Sequence, residues 1–279
     1  MKDIRYIFCD LDGTLLNNAK EPTRKTITYL HELKKKSDIQ IGIATGRAPS
    51  SVLPMMKKYD MESVIDVVVA NNGVHTLITD KEKTSVQGMV ETEQIKQILD
   101  AFSTLPYISV CFHNSDILYA SEVNARVSSI LRMNQMQFVF NPCKHDDYQI
   151  TPRVMLLFEP VFRPLVEEVV KHCPIEGLKG YFAESDIYEF TNKDISKHKA
   201  IQSYVEQRGD TLANVMVFGD SENDIGMLKA CGIGVVMKNA VEDIKQYGDI
   251  VSEYTNEEDG IYKFLIKHEK LIAEKGENL

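Results

Sequence analysis

Short runs of β-branched and aliphatic residues recur along the chain, and several stop abruptly at polar ones. Residues 4–9 run into Asp10, residues 39–44 into Thr45-Gly46-Arg47, residues 64–70 into Asn71-Asn72-Gly73, and residues 215–218 into Gly219-Asp220. Apolar runs of this length and type predict strands buried on both faces of a parallel sheet. Helical patterns lie between them. Residues 23–36 carry Ile27, Leu30 and Leu33 on one face and end in Lys34-Lys35-Lys36, a basic finish that suits the negative end of a helix. Residues 50–59, 199–208 and 224–230 are further candidate helices. Strand, turn and helix in alternation predict a doubly wound α/β core, in which ligands bind beyond the carboxyl ends of the strands. Each polar cluster sits at such an end.

The middle third reads differently. Residues 108–112, 117–120, 154–158 and 187–190 are predicted strands, and residues 91–103 and 163–172 predicted helices. His113-Asn114-Ser115-Asp116 reads as a turn. An α+β domain inserted into a Rossmann-like core fits this order, with the core at residues 1–80 and 187–279 and the insert at 81–186.

The length of 279 residues agrees with two domains. Hydrophobic residues make up 43% and charged residues 26%, as in an ordinary soluble protein. A net charge of −9 argues against a nucleic-acid partner or an anionic membrane surface. No stretch approaches the roughly 18 apolar residues of a membrane span, and the N-terminus does not read as a signal peptide. Cys9, Cys111, Cys143, Cys173 and Cys231 are scattered; His113, His145 and His172 lie near three of them, without paired metal-ligand spacing. Reduced thiols and a cytoplasmic location are expected.

The chemistry gathers at the strand ends. In Asp10-Leu11-Asp12-Gly13-Thr14, two carboxylates can bend around one small polar centre, Asp10 as metal ligand and nucleophile, Asp12 as general acid and base. An acidic turn is the plain alternative. In Gly219-Asp220-Ser221-Glu222-Asn223-Asp224, three carboxylates repel one another unless a cation or solvent offsets them. Such hard oxygens suit Mg²⁺. They also suit a capped helix start, and both readings can hold together. Thr45 and the Gly46 N–H can hold phosphate oxygens, whereas Arg47 is a weaker candidate. Lys197 can add a cation, although a lysine between basic neighbours is more often solvated.

Taken in order, Asp-x-Asp-Gly-Thr, Thr-Gly-Arg, a late Lys and Gly-Asp-x-x-Asn-Asp resemble the haloacid dehalogenase superfamily of phosphohydrolases, and within it the Cof-type hydrolases. Asn72-Gly73, Asp194-Ile195-Ser196-Lys197, Met237-Lys238-Asn239-Ala240 and Glu258-Asp259-Gly260 match that family's further motifs. The resemblance covers about residues 4–75 and 187–265; the middle matches in size and placement, as an inserted cap. His198 departs from the pattern, because the family commonly carries Gly after the motif lysine. Lys199 is the fallback cation.

The resemblance implies an Mg²⁺-dependent phosphatase that hydrolyses phosphate monoesters of small metabolites through an aspartyl-phosphate on Asp10. Asp12 would give and take the proton, with neighbouring acids expected to raise its pKa. Mg²⁺ would be held by Asp10, the Asp12 carbonyl and Asp220, with Ser221 close by and Asp224 acting through water or by orienting the others. Thr45, the Gly46 N–H, Lys197, Asn223 and the Leu11 backbone would bind phosphate oxygens. The cap would close over the leaving group, with His113, Asn114 and Asp116 as candidate contacts for sugar hydroxyls. Sugar phosphates and phosphorylated cofactors such as pyridoxal phosphate are the family's usual substrates. A sugar phosphomutase shares the covalent step and stays open. A non-catalytic phospholigand sensor also remains, although such a protein would be expected to have lost one of Asp10, Asp12 and Asp220.

Overall fold

The computed structural model describes residues 3–81, 83–114, 117–134, 137–140 and 150–272. Asp116, Cys143, His145 and the side chain of Asn114 lie outside the described residues. The chain divides into two compact units: Met1–Gln87 with Ile195–Leu279, and Gly88–Asp194.

The first unit is built on a sheet of β1 (Tyr6–Cys9), β2 (Gln40–Ala44), β3 (Val67–Ala70), β4 (His75–Ile78), β5 (Lys83–Val86), β12 (Val215–Gly219), β13 (Ile233–Val236) and β14 (Ile250–Val251). Their order is β14-β13-β12-β1-β2-β3-β4-β5. All neighbours from β14 to β3 run parallel, and β4 and β5 are antiparallel. Helices α1 (Arg24–Lys36), α2 (Pro49–Lys58) and α9 (Gly260–Lys267) pack on one face, with α6 (Lys197–Glu206), α7 (Ile225–Ala230) and α8 (Glu242–Lys245) on the other.

The unbroken apolar strands follow from this double cover. In β1, Ile7 and Cys9 join the cluster that includes Ile27, Leu30 and Leu33 of α1, whereas Tyr6 and Phe8 join Ala200, Ile201 and Tyr204 of α6. Neither face can be polar, so the period-two alternation of a half-exposed strand disappears. A fully buried Phe8 or Phe218 contributes roughly 1.5–3 kcal/mol each. The turn into α1 is held by Thr23, whose hydroxyl accepts from the Thr26 N–H at 3.3 Å. At the other end of α1, Lys34 reaches Asp66 with both carboxylate oxygens at 2.8 Å.

The sheet grows outward in opposite directions from β1 and β12, which makes the crevice beyond their carboxyl ends the ligand position of a doubly wound fold. Asp10 and Asp220 stand there, and the Asp10 N–H donates to the Phe218 carbonyl at 3.0 Å.

The second unit holds β6 (Ser109–Asn114), β7 (Ile117–Ala120), β8 (Gln137–Phe140), β9 (Val154–Leu157), β10 (Leu178–Glu184) and β11 (Ile187–Asn192), in the order β10-β11-β9-β6-β7-β8. Helices α3 (Thr92–Phe102) and α5 (Arg163–His172) cover the face bearing Val110, Phe112 and Leu156. The helix α4 (Ala125–Asn134) covers Cys111 and Met155 on the other.

Three sequence expectations change here. Residues 81–87 belong to the first unit, because β5 pairs with β4, and residues 187–194 to the second, because β11 lies between β9 and β10. His113 and Asn114 are the last residues of β6 rather than turn residues. Burial, and then the Arg153 charge, push the His113 pKa down to about 4. Together the units form an α/β core with an inserted α+β domain. Among the described residues no helix is long and apolar enough to cross a membrane.

Candidate active site

Asp10 is the first residue past β1 and is 4% exposed. Its turn is closed by its own backbone: Thr14 N–H and Leu16 N–H donate to the Leu11 carbonyl, and Leu15 N–H to the Asp10 carbonyl. Gly13 sits in the left-handed region at φ +84°, and a Cβ there would collide with the Asp220 carboxylate. Only glycine allows the turn to come this close. Thr14, beside it, donates its hydroxyl to Asp220 Oδ1 at 2.7 Å.

The second acidic motif follows β12 and folds back on itself. Asp224 is fully buried, and its Oδ2 accepts from the Asp220 N–H at 2.9 Å and the Ser221 N–H at 3.1 Å. The Ser221 hydroxyl lies 2.8 Å from Asn223 Oδ1 and 3.2 Å from Asp224 Oδ2. The capped-start reading and the acidic-centre reading are therefore both present in one turn.

Lys197 joins the two motifs. Its ammonium, on a side chain 1% exposed, donates to Asp10 Oδ1 and to Asp224 Oδ1, each at 2.7 Å. Asp224 thus has both oxygens committed to hydrogen bonds, which suits orienting its neighbours. Lys197 comes from the first turn of α6, capped by Ser196. Gly73, at φ +108°, lets that helix start approach: a Cβ on Gly73 would lie 2.5 Å from the Ser196 carbonyl oxygen. The lysine is thus a buried counter-ion and not part of a solvated basic face.

Burial raises the Asp10 pKa, opposed by Lys197 and reinforced by Asp224. Burial also lifts Asp220, to about 6, with Thr14 pulling it down and Asp224 pushing it up. Burial alone would lower Lys197, but Asp10 and Asp224 outweigh it and hold the ammonium protonated. The Cys9 thiol is fully buried, and burial followed by the Asp10 charge pushes its pKa up, as for an inert core thiol.

Asp12 departs from expectation. Arg47 holds it through two hydrogen bonds of 2.7 Å, and Lys20 reaches Asp12 Oδ1 at 2.8 Å. Half-burial favours the neutral acid, but the two cations outweigh it and lower the pKa below the ordinary carboxylate value. The expected rise presumed that the other acids would dominate; the side chain instead meets Arg47 and Lys20. Arg47 was the weaker candidate in the Thr-Gly-Arg run, and no sequence signal marked Lys20.

Thr45, 1% exposed, is the first residue past β2, and its Oγ1 accepts from the Arg47 N–H at 3.1 Å. Gly46 lies beside the Asn72 and Asn223 amides, at 3.4 and 3.7 Å from the place a Cβ would take. Asn223 donates to Asn72 Oδ1 at 3.1 Å. The strand-end clusters of β1, β2, β3 and β12 therefore meet around one centre. His198 packs its ring toward Gly226 of α7 and pairs its Nδ1 with the Ser196 hydroxyl at 3.0 Å.

Asp10, Asp220 and Asp224 each offer a carboxylate oxygen, and these oxygens lie within 4.8 Å of one another. The hard, all-oxygen set, partly neutralised by one lysine, fits a divalent cation of the Mg²⁺ kind.

A family model described as haloacid dehalogenase-like hydrolase matches residues 7–265. The chain is 27% identical over 267 residues to the Bacillus subtilis 5-amino-6-(5-phospho-D-ribitylamino)uracil phosphatase YcsE, covering 95% of this chain and 96% of the relative. It is 26% identical to the phosphoglycolate phosphatase of Methanopyrus kandleri, covering 94% and 95%. Among solved structures, TM0651 from Thermotoga maritima superposes with a TM-score of 0.81 at 26% identity, over 95% of this chain and 97% of that one. The subclass IIB sugar phosphatase BT4131 shares the fold with a TM-score of 0.79 at 24% identity, over 96% and 100%.

Proposed function

This chain belongs to the haloacid dehalogenase-like hydrolases and is a phosphoric monoester hydrolase, and on that footing we propose that it cleaves phosphate esters of small metabolites through an aspartyl-phosphate on Asp10, with Mg²⁺ as cofactor. The observation that carries this reading is the placement of Asp10: buried, bonded to Lys197 at 2.7 Å, and facing Asp220 and Asp224 at the carboxyl ends of adjoining parallel strands.

Asp10 and Asp220 would hold Mg²⁺, with the Asp12 carbonyl, Ser221 and Asp224 in support. When bound, the ion offsets charge on the phosphoryl oxygens. An Asp10 carboxylate oxygen attacks phosphorus as the ester P–O bond breaks, and Asp12 supplies the proton to the leaving alkoxide. Water then attacks the aspartyl-phosphate, Asp12 takes its proton, and Asp10 is released with inorganic phosphate. Lys197, Thr45, the Gly46 N–H, Asn223 and the Leu11 backbone receive the equatorial oxygens, where charge placement dominates catalysis. Asp12 is held ionised by Arg47 and Lys20, so it starts as a ready base. To act first as acid, it exchanges part of that clamp for a proton.

We assign substrate choice to the inserted unit. The Bacillus relative acts on a phosphorylated ribityl compound and BT4131 on sugar phosphates, as their names state, which supports polyol and sugar phosphates as the first class to assay. A cytoplasmic enzyme acting on soluble metabolites is the matching location. The test is phosphate release across sugar phosphates, nucleotides and phosphorylated cofactors, with Mg²⁺ or EDTA, alongside Asp10→Asn. Mg²⁺-dependent release that Asp10→Asn abolishes is expected; substantial turnover by the purified variant would overturn the nucleophile assignment.

A further inference from the structure

Two motifs near the end of the chain, Met237-Lys238-Asn239-Ala240 and Glu258-Asp259-Gly260, take no part in the chemistry above. Their surroundings nevertheless reach the turn that carries Asp12, Gly13 and Thr14. The Asn239 side-chain amide donates to the Gly13 carbonyl at 2.8 Å, and its oxygen accepts from the Asn256 N–H at 3.0 Å. Asn256, 6% exposed, donates its own amide to the Leu16 carbonyl at 3.0 Å. Next to it, the Glu257 carboxylate accepts from the Asn18 N–H. Two neutral amides thus bridge both ends of the turn from residues more than 200 positions away in sequence.

The turn needs such an outside hold. Gly13 packs directly against the Asp220 carboxylate, and Thr14 donates to Asp220 Oδ1, so a shift of this turn moves both the steric stop and the hydrogen bond that orient Asp220. Amides suit the task, because a carboxylate would repel the Gly13 and Leu16 carbonyls and would add negative charge beside an acidic centre.

We propose that Asn256, assisted by Asn239, is a positioning residue for the cation site: it fixes the Gly13–Leu16 turn so that Thr14 holds Asp220 in ligating geometry. The proposal rests on the reading of Asp10 and Asp220 as cation ligands. Asn256 is the stronger anchor because it is buried, whereas Asn239 is exposed to solvent.

The test is calorimetric titration of the metal-free full-length protein with Mg²⁺, with thermal unfolding of each variant measured in parallel. Asn256→Ala should weaken Mg²⁺ binding about tenfold or more, as loss of a group that orients a ligand does. Asn239→Ala should weaken it by about threefold, the worth of one hydrogen bond at an exposed site. Thr14→Val should weaken binding too, and combining it with Asn256→Ala should add little, because both act through Asp220. If Asn256→Ala does not fold, Asn256→Ser carries the same expectation. Asp220→Asn separates the two readings. Normal Mg²⁺ binding by Asp220→Asn, or none by wild type, overturns the cation site itself. Loss in Asp220→Asn together with unchanged affinity in a folded Asn256 variant overturns this inference alone.

Discussion

Arg47 grips Asp12 as a fork, Nε on Oδ2 and Nη2 on Oδ1 at 2.7 Å each, across 35 residues of sequence. The fork fixes the plane of the carboxylate and favours its ionised form, with Lys20 adding a second cation. Arg47→Gln removes the charge and half the fork. The limb of the kcat–pH profile assigned to Asp12 should then move to higher pH by about one unit or more, measured from pH 4 to 9. An unmoved limb would sever Asp12 from proton transfer.

Lys197 is the counter-ion for two buried carboxylates, so replacing it leaves uncompensated charge behind. Lys197→Met should destabilise the metal-free protein by about 3–5 kcal/mol and cut kcat on the order of 10²-fold. Mg²⁺ should restore part of the stability by supplying positive charge to the same acids. Thermal unfolding with and without Mg²⁺ reads this directly, and an equal loss in both conditions would show that ion and lysine do not share the site.

The pKa of Asp220, raised to about 6, gives metal binding a pH dependence of known sign. Below that pH the carboxyl is protonated and the cation must expel the proton, so Mg²⁺ affinity should fall as pH drops through about 6. The stability effect runs the other way. Metal-free protein should gain stability from this group as pH falls from about 6 toward the ordinary carboxylate range, because the folded state holds the proton more tightly than the unfolded chain. Calorimetry at pH 5.5 and 7.5 checks the first trend; affinity independent of pH would remove Asp220 from the ligand set.

His198 and Gly226 share one space: a Cβ on Gly226 would lie 2.5 Å from His198 Nδ1. Gly226→Ala should destabilise the protein by about 1–3 kcal/mol through overpacking. In a His198→Gly background the same change should cost much less, because the ring is gone. A double-mutant cycle by urea unfolding measures the coupling, and simple additivity would show that the two residues do not meet in solution.

The residue pattern by itself determined the parts of this protein that are written locally. Apolar runs that end in polar clusters mark β1, β2, β3 and β12, because a strand covered on both faces must be apolar throughout and a ligand can approach only its end. The spacing of Ile27, Leu30 and Leu33, with three lysines after them, marks α1, because an amphipathic face and a basic helix end are near-neighbour properties. The order of the acidic, Thr-Gly-Arg and lysine motifs was legible through its resemblance to the haloacid dehalogenase phosphohydrolases. Other features leave no such local mark. Lys83-Thr84-Ser85-Val86 has no apolar run, since β5 is an exposed edge strand recognisable only by its pairing with β4. Whether Asp12 meets acids or cations depended on where Arg47 and Lys20 arrive, and that reversed the direction of its pKa. The space for His198 lies on Gly226 of another helix, and the hold on Gly13 comes from Asn239, 226 residues away. Tertiary structure decided these points because charge, steric fit and hydrogen bonding act over a few ångströms in space, while sequence spacing records only neighbours along the chain.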